Sequence, residues 1–139
     1  MKQVVIDCSV IVKWFFQDDE PRVKQALELR NLATTKKIQL IALEFFWLEI
    51  LNVVMLSKKI PSDELKKLVN FFIKLKIDIQ PMKSSLINQI IFLVQKYKIT
   101  TYDASYVALA KINKCQLITD DVKLKNKTKL KFIKLLKDY

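Results

Sequence analysis

The chain has 139 residues, no glycine and no histidine, and its 25 Lys and Arg outweigh 14 Asp and Glu to give a formal net charge of +11. Without glycine neither a P-loop nor a G-x-G-x-x-G dinucleotide turn can form, and without histidine the common zinc sites and any imidazole base are excluded. The length suits one domain, expected over 1–139, and a hydrophobic content of 51% argues against a disordered arm or linker.

Short β-branched runs alternate with longer segments of helical period, the pattern of a parallel α/β sheet. A first strand is expected over 3–7, "QVVID". Asp7 interrupts this apolar start and no small-residue cleavage site follows, so it is not read as a leader, and a cytoplasmic protein is expected. Asp7 ends the strand, where such sheets bind ligands. It can equally cap the next helix, expected over 10–16, and Ser9 can share that capping or orient Asp7.

A helix over 20–35 and a strand over 38–43 lead to a helix over 44–58 that contains "LEFFWLEILNVVML". Glu44 and Glu49 break this stretch, which is shorter than the ~20 apolar residues of a membrane span. Glu49 lies among apolar neighbours with Asn52 three residues on, on the same helix face. An ionised glutamate there is costly unless it is paired, hydrogen-bonded or metal-bound. Glu44 lies about 140° round the helix and belongs to its start. Trp14 and Trp47 fit either the core or an exposed contact surface.

Helices over 62–75 and 84–97 flank a strand over 77–82, with Ser62 and then Ser84 or Ser85 as candidate caps. The helix over 103–112, small-residued along "ASYVALA", takes Thr100 or Thr101 as its cap and carries Asp103 in its first turn. The strand over 116–119, "QLIT", runs into Asp120 and Asp121, either of which fits an ordinary turn. A last strand is expected over 131–136. Seven lysines between 123 and 137, spaced mostly two apart, suit the solvent face of an edge strand or a nucleic-acid-binding edge. Cys8 and Cys115 form no C-x-x-C and lie in apolar stretches, as buried hydrophobes in a reducing compartment do.

Asp7, Glu49, Asp103 and one of the Asp120–Asp121 pair have no sufficient structural reason when taken together. If the first and fourth strands are neighbours, all four converge at one sheet edge. Clustered carboxylates repel, which raises their pKa values or calls for a cation. An oxygen-only donor set selects hard ions such as Mg²⁺ or Mn²⁺, which activate water and neutralise charge on a phosphodiester. The basic balance of the chain favours a polyanionic partner.

The segments "VVIDCSVIVKWF", "LEILNVV", "TYDASYVALA" and "LITDDVKL", in that order and with these gaps, resemble the PIN-domain ribonucleases, in particular the VapC-like toxins of prokaryotic toxin–antitoxin pairs. The resemblance implies a three-layer α/β/α sandwich with a parallel sheet in the order 3-2-1-4-5. It implies a Mg²⁺- or Mn²⁺-dependent endoribonuclease with Asp7, Glu49, Asp103 and a fourth acid at the metal. That acid occurs in relatives as Thr-x-Asp-x-x-Leu, which matches Asp121 and leaves Asp120 as a turn or outer contributor. Ser9, Asn52 and Thr119 match polar positions around the metal ligands. An RNA substrate, an antitoxin and a homodimer are implied as partners. Relatives often carry a glycine before the fourth strand, where Asn113 can take the left-handed cap conformation.

Two other classes fit less of the sequence. A receiver-like signalling domain also gathers acids around Mg²⁺, but "IDIQPMK" offers no phosphoacceptor after the third strand. A non-catalytic binding module would lodge a partner's basic side chain in the acidic pocket.

Overall fold

A computed structural model describes all 139 residues. Five strands, β1 (Lys2–Ile6), β2 (Ile38–Leu43), β3 (Asp78–Gln80), β4 (Gln116–Thr119) and β5 (Ile133–Leu135), form one parallel sheet in the order β3-β2-β1-β4-β5. Seven α-helices cover it: α1 (Cys8–Val12), α2 (Val23–Thr34), α3 (Phe46–Asn52), α4 (Ser62–Leu75), α5 (Ser84–Tyr97), α6 (Thr101–Ile112) and α7 (Val122–Thr128).

Alternation along the strands sorts the core into two layers. Val4, Ile6, Leu40, Ala42 and Ile118 pack with residues of α1 to α4, while Val5, Ile41, Leu43 and Leu117 pack with α5, α6 and α7. The central strands are therefore apolar on both faces, as a covered parallel sheet demands. Trp14 is fully buried, stacked on Phe72 with ring centroids 6.5 Å apart. Trp47 is half-buried and meets the edge of Phe72.

Several local expectations are corrected. The first helix spans Cys8–Val12 rather than 10–16, because Asp7 caps it directly. Ser62 and Ser84 do not cap; each is the first helical residue, behind extended Pro61 and Lys83. The helix expected over 44–58 is α3 continued by a π-helical turn, Val53–Ser57. The lysine-rich tail is not one edge strand. Its first half is α7, because Asp121 caps that segment and Leu124 and Thr128, four residues apart, both turn inward. Only Ile133–Leu135 lie on the sheet edge.

Asn113 does not take the left-handed conformation either; Lys114 does, at φ 52°. It belongs to a series. Lys36, Lys59, Lys76, Lys98, Lys114 and Lys129 all have positive φ, and each closes a helix or its π continuation. A residue with a Cβ is disfavoured there, although a lysine ammonium suits the negative end of the helix dipole. Replacing Lys98 or Lys129 by glycine is expected to raise the unfolding free energy by about 0.5–1 kcal/mol each. Urea denaturation checks this, with the alanine variants, which keep the Cβ, giving no gain.

Candidate active site

The chain leaves the sheet in opposite directions from β1, toward β2 and β3 on one side and β4 and β5 on the other. A crevice therefore opens between β1 and β4 at their C-terminal ends, the usual ligand position in such sheets. Asp7 sits at that point, its backbone N–H donating to the Ile118 carbonyl at 3.0 Å. Its carboxylate does two things at once. Oδ1 accepts from the Ser9 N–H at 3.4 Å as the cap of α1, and Oδ2 accepts from the Thr119 hydroxyl at 2.8 Å.

The Thr119 oxygen also accepts the Asp121 N–H at 3.1 Å. One fully buried hydroxyl thus ties the Asp7 carboxylate to the backbone that carries Asp121. Asp121 in turn caps α7 through Oδ1, which accepts from the Leu124 N–H at 3.1 Å. Asp103 stands in the first turn of α6, its N–H capped by the Thr100 hydroxyl at 3.1 Å. Glu49, half-buried on α3, accepts the hydroxyl of Tyr106.

Burial, first of all, raises the carboxyl pKa values of Asp7, Glu49 and Asp103. Charge then adds to it: Asp121 acts on Asp7, Asp7 on Glu49, and both Asp121 and Asp7 on Asp103. Opposing bonds from Thr119, Tyr106 and Thr100 do not cancel the rise. The Cys8 thiol, buried beside Glu49 and Asp7, is pushed up to about 12 and stays protonated at neutral pH. It is a packing group and no thiolate ligand.

The ion pairs of the chain are Lys13–Glu20, Lys13–Asp120 and Arg22–Asp120, so none of the four acids has a cation of its own. In donor chemistry, an all-oxygen set with three raised carboxyls and no ion pair suits a hard divalent ion. No three of these carboxylates lie close enough together to hold one ion between them.

Other residues from the sequence reading divide. Ser9 and Thr119 touch Asp7. Asn52 is exposed and makes no bond to Glu49; it lines an open cleft of about 510 Å³ with Phe45, Leu48, Glu49 and Tyr102. Asp120 turns to Arg22 and Lys13. Tyr106, missed in the sequence, is marked there only as the one aromatic residue in "ASYVALA", three places after Asp103. A cavity of about 790 Å³ opens at the other end of the sheet beside Lys2, Gln39 and Lys131.

A parallel α/β sandwich with an acidic crevice at its switch point defines the class. The chain belongs to the PIN domain family, which it matches over residues 4–130. Among solved structures it resembles a toxin–antitoxin complex from Klebsiella pneumoniae, with a TM-score of 0.65 and 16% identity over 96% of this chain and 97% of that one. It also resembles PAE2754 from Pyrobaculum aerophilum, with a TM-score of 0.65 and 17% identity over 99% of this chain and 91% of that one. No curated protein matches it significantly in sequence.

The raised carboxyls set a pH dependence for the metal-free protein. A carboxyl whose pKa is higher folded than unfolded favours folding while protonated, and that contribution is lost as pH rises through its folded value. Stability is therefore expected to rise as pH falls from 7 toward the usual carboxylate range. Below that range it falls again, because Asp120 and Glu20, held low by Arg22 and Lys13, become protonated. Asp7→Asn keeps the cap, removes one repelling charge, and is expected to raise the melting temperature at pH 7 in EDTA; a pH series of thermal melts checks both.

Proposed function

We propose that the protein is a Mg²⁺- or Mn²⁺-dependent endoribonuclease, the toxin of a toxin–antitoxin pair, with residues 1–139 as one catalytic domain. One observation carries the reading: Asp7, Glu49, Asp103 and Asp121 lie near enough for their charges to act on one another in a protein of net charge +11, yet form no ion pair with a lysine or arginine. PIN domains are in general nucleases that use divalent ions. These four acids would hold the ion, which when bound makes water a nucleophile at neutral pH and neutralises charge on the phosphodiester.

The chain's own residues supply positioning. Thr119 holds Asp7 in place, and Tyr106 directs Glu49. Asp121 keeps one carboxylate oxygen without a bond from the chain. Lys127 lies close enough to Asp103 to favour its ionised form, and its ammonium reaches the Lys98 carbonyl at 3.3 Å. In this reading Lys127 would hold an RNA phosphate.

The toxin role draws support from the likeness to the Klebsiella complex. An antitoxin would occupy the crevice with an Arg or Lys side chain, answering the same charge. A homodimer and a cytoplasmic location complete the reading; no helix is long and apolar enough to cross a membrane. A receiver role is disfavoured, because β3 ends at Gln80 and Pro81 follows, with no acid to accept a phosphoryl group.

RNA incubated with Mn²⁺ or Mg²⁺ is expected to be cut, with the rate falling by about 10²-fold or more in EDTA or in Asp7→Asn. Cleavage that survives either treatment overturns the metal mechanism. Lys127→Ala is expected to weaken binding of single-stranded RNA and to lower the salt dependence of log K by about 0.7, one phosphate contact. Filter binding in EDTA at several salt concentrations measures this apart from cleavage.

A further inference from the structure

Asp120 lies between two residues of the acidic site but faces away from it. The Arg22 guanidinium grips both of its carboxylate oxygens, Nε to Oδ1 at 2.5 Å and Nη2 to Oδ2 at 2.7 Å. Behind them Lys13, only 4% exposed, places its ammonium 2.7 Å from Glu20 Oε2 and 3.5 Å from Asp120 Oδ2. A lysine that deep is retained only with its charge answered. Arg22 is held in the left-handed region, φ 58° and ψ 30°, where a residue with a Cβ is disfavoured. Backbone strain and a forked ion pair thus meet on one carboxylate.

We propose that Arg22, Lys13 and Asp120 form a positioning device for the acidic site. The network fixes the turn between β4 and α7 from behind, so that Thr119 presents its hydroxyl to Asp7 and Asp121 faces the crevice. The chain geometry makes the coupling direct. Thr119 and Asp121 are the covalent neighbours of Asp120, and the Thr119 hydroxyl bonds both the Asp7 carboxylate and the Asp121 N–H. A rotation of the Asp120 backbone moves two of the four acids relative to each other. The fork matters as much as the charge, because a guanidinium fixes the plane of a carboxylate and an ammonium does not.

This inference rests on the metal reading proposed above, and Mn²⁺ binding tests it without reference to activity. Calorimetric titration of Mn²⁺ into the wild type, Arg22→Gln, Arg22→Lys and Asp120→Asn is run at a temperature where circular dichroism shows each to be folded. Arg22→Gln and Asp120→Asn are expected to bind Mn²⁺ about 10-fold more weakly, the lower end of the loss seen when a direct partner of a metal ligand is removed, because they act on Asp7 and Asp121 through Thr119 and the backbone. Arg22→Lys, which keeps charge but not the fork, falls between them and the wild type. Should Arg22→Gln not fold, Arg22→Lys and Asp120→Asn carry the comparison. Variants that melt at lower temperature yet bind Mn²⁺ within twofold of the wild type overturn the inference, since the network then only stabilises the fold. A wild type that binds no Mn²⁺ overturns the metal reading itself, and this inference with it.

Discussion

Pairing of β1 with β4 brings residues 7 and 119 together from 112 positions apart in the chain, and the acidic crevice depends on it. With Ile6 beside Ile118, the Asp7 N–H takes one more bond of the ladder, and the Thr119 hydroxyl meets the Asp7 carboxylate just past the sheet. A shift of this pairing by one residue would turn Thr119 to the opposite face. The two apolar layers guard against it, since Leu117 and Ile118 belong to different sides of the core. Sheet register and site geometry are therefore set by the same alternation of side chains.

Charge is distributed with the same economy. The acids that stabilise the fold, Asp120 and Glu20, are paired and easily ionised, while Asp7, Glu49 and Asp103 are unpaired and reluctant to ionise. The two populations meet at Thr119 and Asp120, where Thr119 bonds the Asp7 carboxylate and the next residue, Asp120, pairs with Arg22 and Lys13. Partners, rather than residue type, separate them.

Legibility in the sequence followed how local each signal was. The strands showed because each is a short β-branched run, and Asp7, Asp103 and Asp121 stood out as candidates because acids flank those runs or open a helix. Thr100 as a cap needed only its three-residue spacing to Asp103, and the structure bears it out. Tyr106 on Glu49 and Arg22 on Asp120 are contacts across 57 and 98 positions, which no periodicity encodes. Helix α7 was hidden because lysines at alternate positions mimic a strand, and its decisive signals, an aspartate cap and the inward Leu124 and Thr128, are weaker than that pattern. Ser62 and Ser84 misled for the opposite reason: the residue type was right, but the backbone enters the helix one residue earlier.

The left-handed lysines carry one more implication. Each α-helix from α2 onward, α3 through its π continuation, ends on a backbone position that is both sterically tense and occupied by the side chain that trypsin-like proteases require. Helix ends open locally far more often than the sheet they cover. The bonds most available to such a protease therefore coincide with the seams between structural units, so that digestion under native conditions would release whole helices and strands in the order in which their ends fray.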